Sequence, residues 1–327
     1  MNSTGDHPSI LEQTQRALGV REPTQDDSLA TWRGNQKKVK EAEARYKDPK
    51  EKTKVLVIQG SDRNKATCPG EDPKSLRLCE HAVKVLKGQG MKAHLLDLSR
   101  MTSEKDLMIW PCKGCFSTSA ALCHWPCTCY PMPALNQDPD WMHEEIYSRL
   151  VESHGIMVIC PVYWYAPPSV LKLMLDRMVC MDGANPDPRT TMADDGSHVK
   201  DVKKAKTLER GPRAGGESIW KYKRGKVLAG RIYSLYVHGD ADGADLVEAS
   251  ISKTLEWYGC IAAGPYAKES GYVGYYKPYA DSHKELDKQE EVWSTIERQA
   301  KGLAASVKEA RESGMPVPAM PPDSEMK

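Results

Sequence analysis

Apolar residues in this chain gather in short unbroken runs, separated by stretches where they recur every three or four positions. KVLVIQ (54–59), MKAHLLDL (91–98), IMVIC (156–160), GRIYSLYVHG (230–239) and CIAAGPY (260–266) have the length of strands. The first and third show no polar alternation, as expected of strands covered on both faces. Between the runs the period changes. Leu76, Cys79, Val83 and Leu86 share one helical face, with Ser75 as N-cap and Gly88 or Gly90 as stop. A helix starting near Asp138–Asp140 carries Met142, Ile146 and Leu150 and ends at Gly155, and SVLKLMLDRM follows the third strand. Ala244, Val247, Ile251, Leu255 and Tyr258 mark a further helix, and a long charged one runs from about Ser282 to Glu312. Strands alternating with helices predict a doubly wound parallel α/β sheet.

The pattern also sets the domain organisation. Residues 1–52 read as a polar N-terminal arm, mobile or loosely docked, with a helical tendency near 36–46. One α/β domain spans 53–312, interrupted by a Gly- and Pro-rich insertion at 181–226, and 313–327 read as a tail. From 200 to 226 there are ten Lys/Arg against three acids, a solvated charged stretch or a contact for NAD(P)H phosphates.

Composition narrows the partners. Among 327 residues, 46 basic and 45 acidic side chains nearly cancel. No global field draws the chain to nucleic acid or an anionic membrane. No apolar run approaches the roughly 20 residues of a membrane span, and the N-terminus lacks the basic start and apolar core of a secretory signal. The expected compartment is the cytoplasm, where thiols stay reduced.

Ligands of an open parallel sheet bind beyond the carboxyl ends of its strands, and three loops there are unusual. Gly60-Ser61-Asp62-Arg63-Asn64 through Ser75 joins the first strand to a helix N-terminus, where backbone N–H groups and small hydroxyls suit a phosphate. It is neither G-x-G-x-x-G nor a Walker loop. Pro161-Val162-Tyr163-Trp164-Tyr165-Ala166-Pro167-Pro168 sets three aromatics between prolines, a surface for a flat conjugated ring. His238-Gly239-Asp240 ends another strand with small residues beside a histidine.

With GSDR first and PVYWYAPPSVLKLMLDR second, these loops resemble the NAD(P)H-dependent FMN reductase group of the flavodoxin-like superfamily over about 53–310. The resemblance implies a three-layer sandwich with a five-stranded sheet of order 2-1-3-4-5 and a non-covalent FMN. Its phosphate would lie against Ser61, Arg63 and the loop up to Ser75. The isoalloxazine would run along Pro161, Val162, Tyr163, Trp164, Tyr165 and Ala166, with His238 and Gly239 closing the far side. The first loop departs from the group's usual GSxRxxS in being longer and carrying Cys68-Pro69-Gly70. The flavin would carry the chemistry, with NAD(P)H as co-substrate and a quinone, flavin or similar small molecule as acceptor. No separate catalytic triad is called for. The resemblance also implies a homodimer or homotetramer, for which the tyrosine-rich 271–283 is the candidate interface or flavin cover.

One segment stands apart. PCKGCFSTSAALCHWPCTCYP holds five of the ten cysteines: Cys112, Cys115, Cys123, Cys127 and Cys129. Iron–sulfur flavoproteins of the same superfamily keep cluster cysteines at this place, as a compact C-x2-C-x2-C with a fourth nearby. Here the spacing is C-x2-C-x7-C-x3-C-x-C. An iron–sulfur cluster, a zinc site on Cys112/Cys115 with Cys123/Cys127, plain packing, and a thiol pair giving a transient disulfide all remain open on spacing alone. A cluster here would make the protein an FMN/iron–sulfur electron carrier.

Overall fold

The computed structural model describes residues 25–118, 123–131, 139–182, 226–239, 242–273 and 278–314. The elements are α1 (Gln25–Lys47), β1 (Lys54–Gln59), α2 (Lys74–Gly88), β2 (Lys92–Asp97), the short α3 (Cys115–Thr118), α4 (Tyr147–Glu152) and β3 (Gly155–Pro161). They continue with α5 (Ser169–Arg177), β4 (Ile232–Gly239), α6 (Ala244–Trp257), β5 (Ile261–Ala262), β6 (Lys268–Tyr272), α7 (Tyr279–Asp287) and α8 (Glu290–Ser313). All strand pairings are parallel and the order is β2-β1-β3-β4-β5, with β6 also on β4. This is the flavodoxin-like order expected from the sequence.

Alternation within the apolar runs sorts the core. Val55, Val57, Met157 and Ile159 face one layer, where Leu78, Leu86, Ile296, Leu303 and Val307 of α2 and α8 cover them. Leu56, Ile58, Ile156 and Val158 face the other, against Leu150, Leu171, Met174, Val247 and Ile251. Both faces are covered, so both need apolar side chains, and the strands read as unbroken runs for that reason.

Four details differ from the sequence reading. The N-terminal arm contains a docked helix, longer than the tendency near 36–46: Trp32, Val39 and Ala42 of α1 are buried, and Trp32 Nε1 donates to the Pro126 carbonyl at 3.0 Å. Its apolar stripe is narrow and lies among charges, so composition hides it. The fifth strand is split: β5 pairs Ile261 with Ile232, the chain bulges out through Gly264, and β6 returns to pair Leu235 with Lys268. The long C-terminal helix is two helices, their junction closed by a 2.9 Å bond from Trp293 Nε1 to the Leu286 carbonyl. The helix read from Asp138–Asp140 opens as a π-turn, Met142–Ile146, before α4. The basic stretch before Lys226, Asp240, residues 274–277 and the tail from 315 lie outside the described residues.

Candidate functional site

The loop after β1 is built by its own side chains. Gly60 admits no Cβ, which would sit 2.8 Å from Cys160 Cβ and from Leu171. Gln59 spans the loop base, donating to Asp97 Oδ1 at 3.0 Å and accepting from the Ser61 amide. Asp62 turns away and caps α5, accepting from Ser169 Oγ at 2.9 Å and the Val170 amide at 3.0 Å. Asn64 ties the far limb to the Ser99 carbonyl at 2.7 Å. With Asp62 and Asn64 used as anchors, Ser61 and Arg63 line a cleft at the strand ends.

Opposite them begins α2. Its N-cap is Pro73, with no side-chain cap bond, so the expected N-cap Ser75 lies inside the first turn. Ser75 Oγ instead meets His238 Nε2 at 2.8 Å. Lys74, a residue the sequence reading passed over, is buried beside it and lines the cleft. A lysine at the positive end of a helix opposes the macrodipole, a charge arrangement suited to receiving an anion. That unfavourable position at the helix start is the signal by which Lys74 is recognisable.

The second loop is a two-residue hairpin. Tyr163 and Ala166 exchange backbone bonds of 3.0 Å each, and the tip residues Trp164 and Tyr165 have φ of 48° and 63°. Such a primed turn favours Asn-Gly; a bulky L-residue there costs about 1–2 kcal/mol. The tip rests on Gly243, itself at φ 102°, where a Cβ would come 2.9 Å from Tyr165 Cα. The expected ring surface therefore divides. Pro161, Val162 and Tyr163 line the cleft, with the Tyr163 hydroxyl 3.2 Å from Ser61 Oγ. Trp164 and Tyr165 project from its edge, 92% and 57% exposed, and Ala166 pairs back to Tyr163 at the hairpin base.

His238 and Gly239 end β4 on the cleft's far side, with Val273 after β6. Gly239 lies against Val162, 3.3 Å from where its Cβ would be. Burial, with Lys74 nearby, pushes the His238 pKa down to about 3, so the imidazole is neutral at pH 7. Burial likewise raises the Tyr163 phenol. The cleft holds about 130 Å³, and among the described residues its walls carry Arg63 and Lys74 but no carboxylate. Hydroxyls, two cationic side chains and a helix N-terminus fit a phosphate monoester, and the aromatic hairpin supplies a flat edge for a conjugated ring.

The cysteine segment forms a second region. Arg177, at the end of α5 and 1% exposed, bonds Asp140 through two contacts of 2.9 and 2.7 Å and donates to the Trp110 carbonyl at 2.9 Å. Tyr130 packs over its guanidinium at 4.5 Å. One buried cation thus links Trp110 just before the segment, Tyr130 near its end and Asp140 beyond it. Cys112, Cys115, Cys123, Cys127 and Cys129 line a common small cavity of about 10 Å³, joined by Cys180. Cys115 and Cys129 touch, Sγ to Sγ, at 2.8 Å. Donation from Cys129 brings the Cys115 thiol down to about 7; Cys123 is driven up by burial. Among the described residues no group of three or more His, Cys, Asp or Glu side chains is disposed to hold a metal ion. The Cys115 and Cys129 sulfurs, 2.8 Å apart, stand closer together than two ligands of one tetrahedral zinc, whose sulfurs at about 2.3 Å from the metal lie about 3.8 Å from each other.

The fold and cleft define a flavodoxin-like α/β protein with a cleft of hydroxyls and cationic side chains at the carboxyl ends of its strands. Residues 53–193 match the family model described as NADPH-dependent FMN reductase. That segment contains GSDR, Lys74-Ser75 and PVYWYAPPSVLKLMLDR, and over it the chain resembles this group as its loops indicate. Among solved structures, RosB with bound 8-demethyl-8-formylriboflavin-5'-phosphate covers 80% of this chain and 81% of its own, at 12% identity and a TM-score of 0.52. A flavone reductase covers 81% and 66% at 16% identity, TM-score 0.42; a flavodoxin from the domain Archaea covers 78% and 99% at 9% identity, TM-score 0.37. At 12% identity the likeness to RosB is one of fold. No curated protein matches the chain. Among the described residues no helix is long and apolar enough to cross a membrane.

Proposed function

We propose that the protein is an FMN-dependent NAD(P)H oxidoreductase. The observation that carries this reading is the cleft itself, which Ser61, Arg63, Lys74 and Ser75 line together at the α2 N-terminus. The chemistry supplied by a bound FMN is two-electron redox, with hydride taken from NAD(P)H and electrons passed to a quinone, a flavin or a similar small acceptor.

The chain's own residues bind, orient and exclude water. Arg63, Lys74 and the helix N-terminus neutralise the phosphate, and the Ser61 hydroxyl, held by Tyr163 and the Arg63 amide at 3.2 Å each, donates to it. Neutral His238 fixes the Ser75 hydroxyl without adding a third charge. Pro161 and Val162 form the apolar floor, and the Trp164–Tyr165 tip overhangs the ring edge. The exposure of that tip also supports pairing of copies as a homodimer or homotetramer.

Titration of the purified chain with FMN, followed by flavin fluorescence, tests the reading. Micromolar or tighter binding is expected, with NAD(P)H bleaching the bound flavin. Lys74→Ala removes a charge-assisted contact and weakens FMN about 10- to 100-fold, corresponding to roughly 1.5–3 kcal/mol. Absence of FMN binding at micromolar concentration would sink the proposal.

A further inference from the structure

Outside the cleft, the densest collection of reactive groups is the sulfur-lined cavity beside α5. Six thiols face about 10 Å³ there, and ordinary packing does not need six. Within it the Cys129 thiol interacts with both Cys115 and Cys127, and its contact with Cys115 is the one that joins two separate limbs of the segment. Cys115 and Cys129 are 2.8 Å apart, Sγ to Sγ, so a bond near 2.05 Å requires the sulfurs to close by only about 0.8 Å. The Cys127 sulfur accepts from the Cys129 amide at 3.4 Å, and Cys112 from the Gly114 amide at 3.4 Å; these two are held by backbone. Cys115 and Cys129 are half-buried, whereas Cys123 and Cys180 are buried. The cavity wall is therefore graded, from enclosed sulfurs to a partly accessible touching pair.

We propose that Cys115 and Cys129 form a redox-active dithiol that hydrogen peroxide converts to an intramolecular disulfide. In the first step the Cys115 thiolate attacks a peroxide oxygen. The S–O bond forms, the O–O bond breaks, and the leaving hydroxide takes a proton to become water. In the second, the Cys129 sulfur attacks the Cys115 sulfenic acid: the S–S bond forms, the S–O bond breaks, and a second water leaves with the Cys129 proton. Two electrons pass from the sulfur pair to the peroxide, and the products are one disulfide and two waters. The Asp140–Arg177 pair and Tyr130 hold the two limbs of the segment together through the reaction, so the pair is set by tertiary structure across fourteen residues of chain. The inference stands without the flavin reading, since none of its residues lines the cleft.

The test uses the full chain purified under reducing, anaerobic conditions, assayed for iron and zinc, and then exposed to hydrogen peroxide. Alkylation with mass mapping should show loss of two of the ten free thiols, with a peptide linking Cys115 to Cys129 that is lighter by two hydrogens. Dithiothreitol should restore both thiols. Cys115→Ser and Cys129→Ala should each abolish the link, while Cys68→Ser, at an exposed cysteine elsewhere, should leave it intact. The wild-type map alone decides the matter if either variant fails to fold. Ten alkylatable thiols after peroxide, a link joining other cysteines, or stoichiometric iron or zinc on these sulfurs would each overturn the proposal.

Discussion

The cleft and the cysteine segment solve opposite problems with the same sheet. The cleft sits where three parallel strands stop, and its polar groups are placed by regular elements: Ser61 by β1, Ser75 by α2, His238 by β4. The cysteine segment has one short helix among its described residues and is placed by a buried arginine that bonds Trp110 before it and Asp140 after it and packs on Tyr130 within it. The first region needs each element to stop in the right register. The second needs one ion pair to survive. The difference teaches that position can be secured by backbone periodicity or by a single side-chain strut, and the two should fail differently.

The sharpest way to break the comparison is Arg177→Ala. Removing one partner of a buried pair leaves the Asp140 carboxylate without its cation, a loss of about 3–5 kcal/mol. Urea denaturation should show it, and the cysteine segment should respond first, its thiols alkylating faster while the cleft still binds FMN. Equal loss of flavin affinity and thiol protection would mean that the two regions are one cooperative unit.

A smaller effect distinguishes the cleft. In the folded chain His238 takes a proton only near pH 3, whereas an unfolded histidine takes it near 6.5. Between those values the unfolded state holds the extra proton, so stability is complete above pH 6.5 and falls as the pH drops. The slope is about 1.4 kcal/mol per pH unit in that window. His154, lowered by burial to about 4, adds a slope of the same sign. Denaturation midpoints of His238→Gln across pH 4–7 should therefore fall less steeply than those of the parent. An unchanged slope would place the acid sensitivity elsewhere.

The smallest expected effect sharpens the contrast within the cleft. Replacing the tip with its preferred turn, Trp164→Asn with Tyr165→Gly, relieves left-handed backbone at both positions. Stability should rise by roughly 1 kcal/mol, read as a higher Tm, while FMN affinity or turnover falls because the aromatic overhang is gone. A gain in stability with no functional change would make the aromatics incidental.

Legibility in the sequence followed the same division. Ser61, Arg63, Ser75, Pro161, Val162, Tyr163, His238 and Gly239 meet in one cleft because each lies within a few residues of a strand end or helix start, and periodicity locates those ends. Lys74 was passed over although it adjoins Ser75, because a lone lysine carries no pattern. The roles of Ser75 and Asp62 were also hidden: one bonds His238 across the cleft and the other caps a helix more than a hundred residues away. Arg177 ended a recognisable motif with nothing to show that it would be buried.

The order of apolar runs and helical stripes determined the layered α/β architecture by itself, because covering both faces of a parallel sheet demands that pattern locally. The loop chemistry at the strand ends was likewise written in contiguous residues. Only the tertiary structure decided which cysteines touch, which polar side chains became anchors, and that α1 docks instead of hanging free. Those outcomes depend on contacts between segments far apart in the chain, and side-chain desolvation and pairing act over distances in space that sequence spacing does not record.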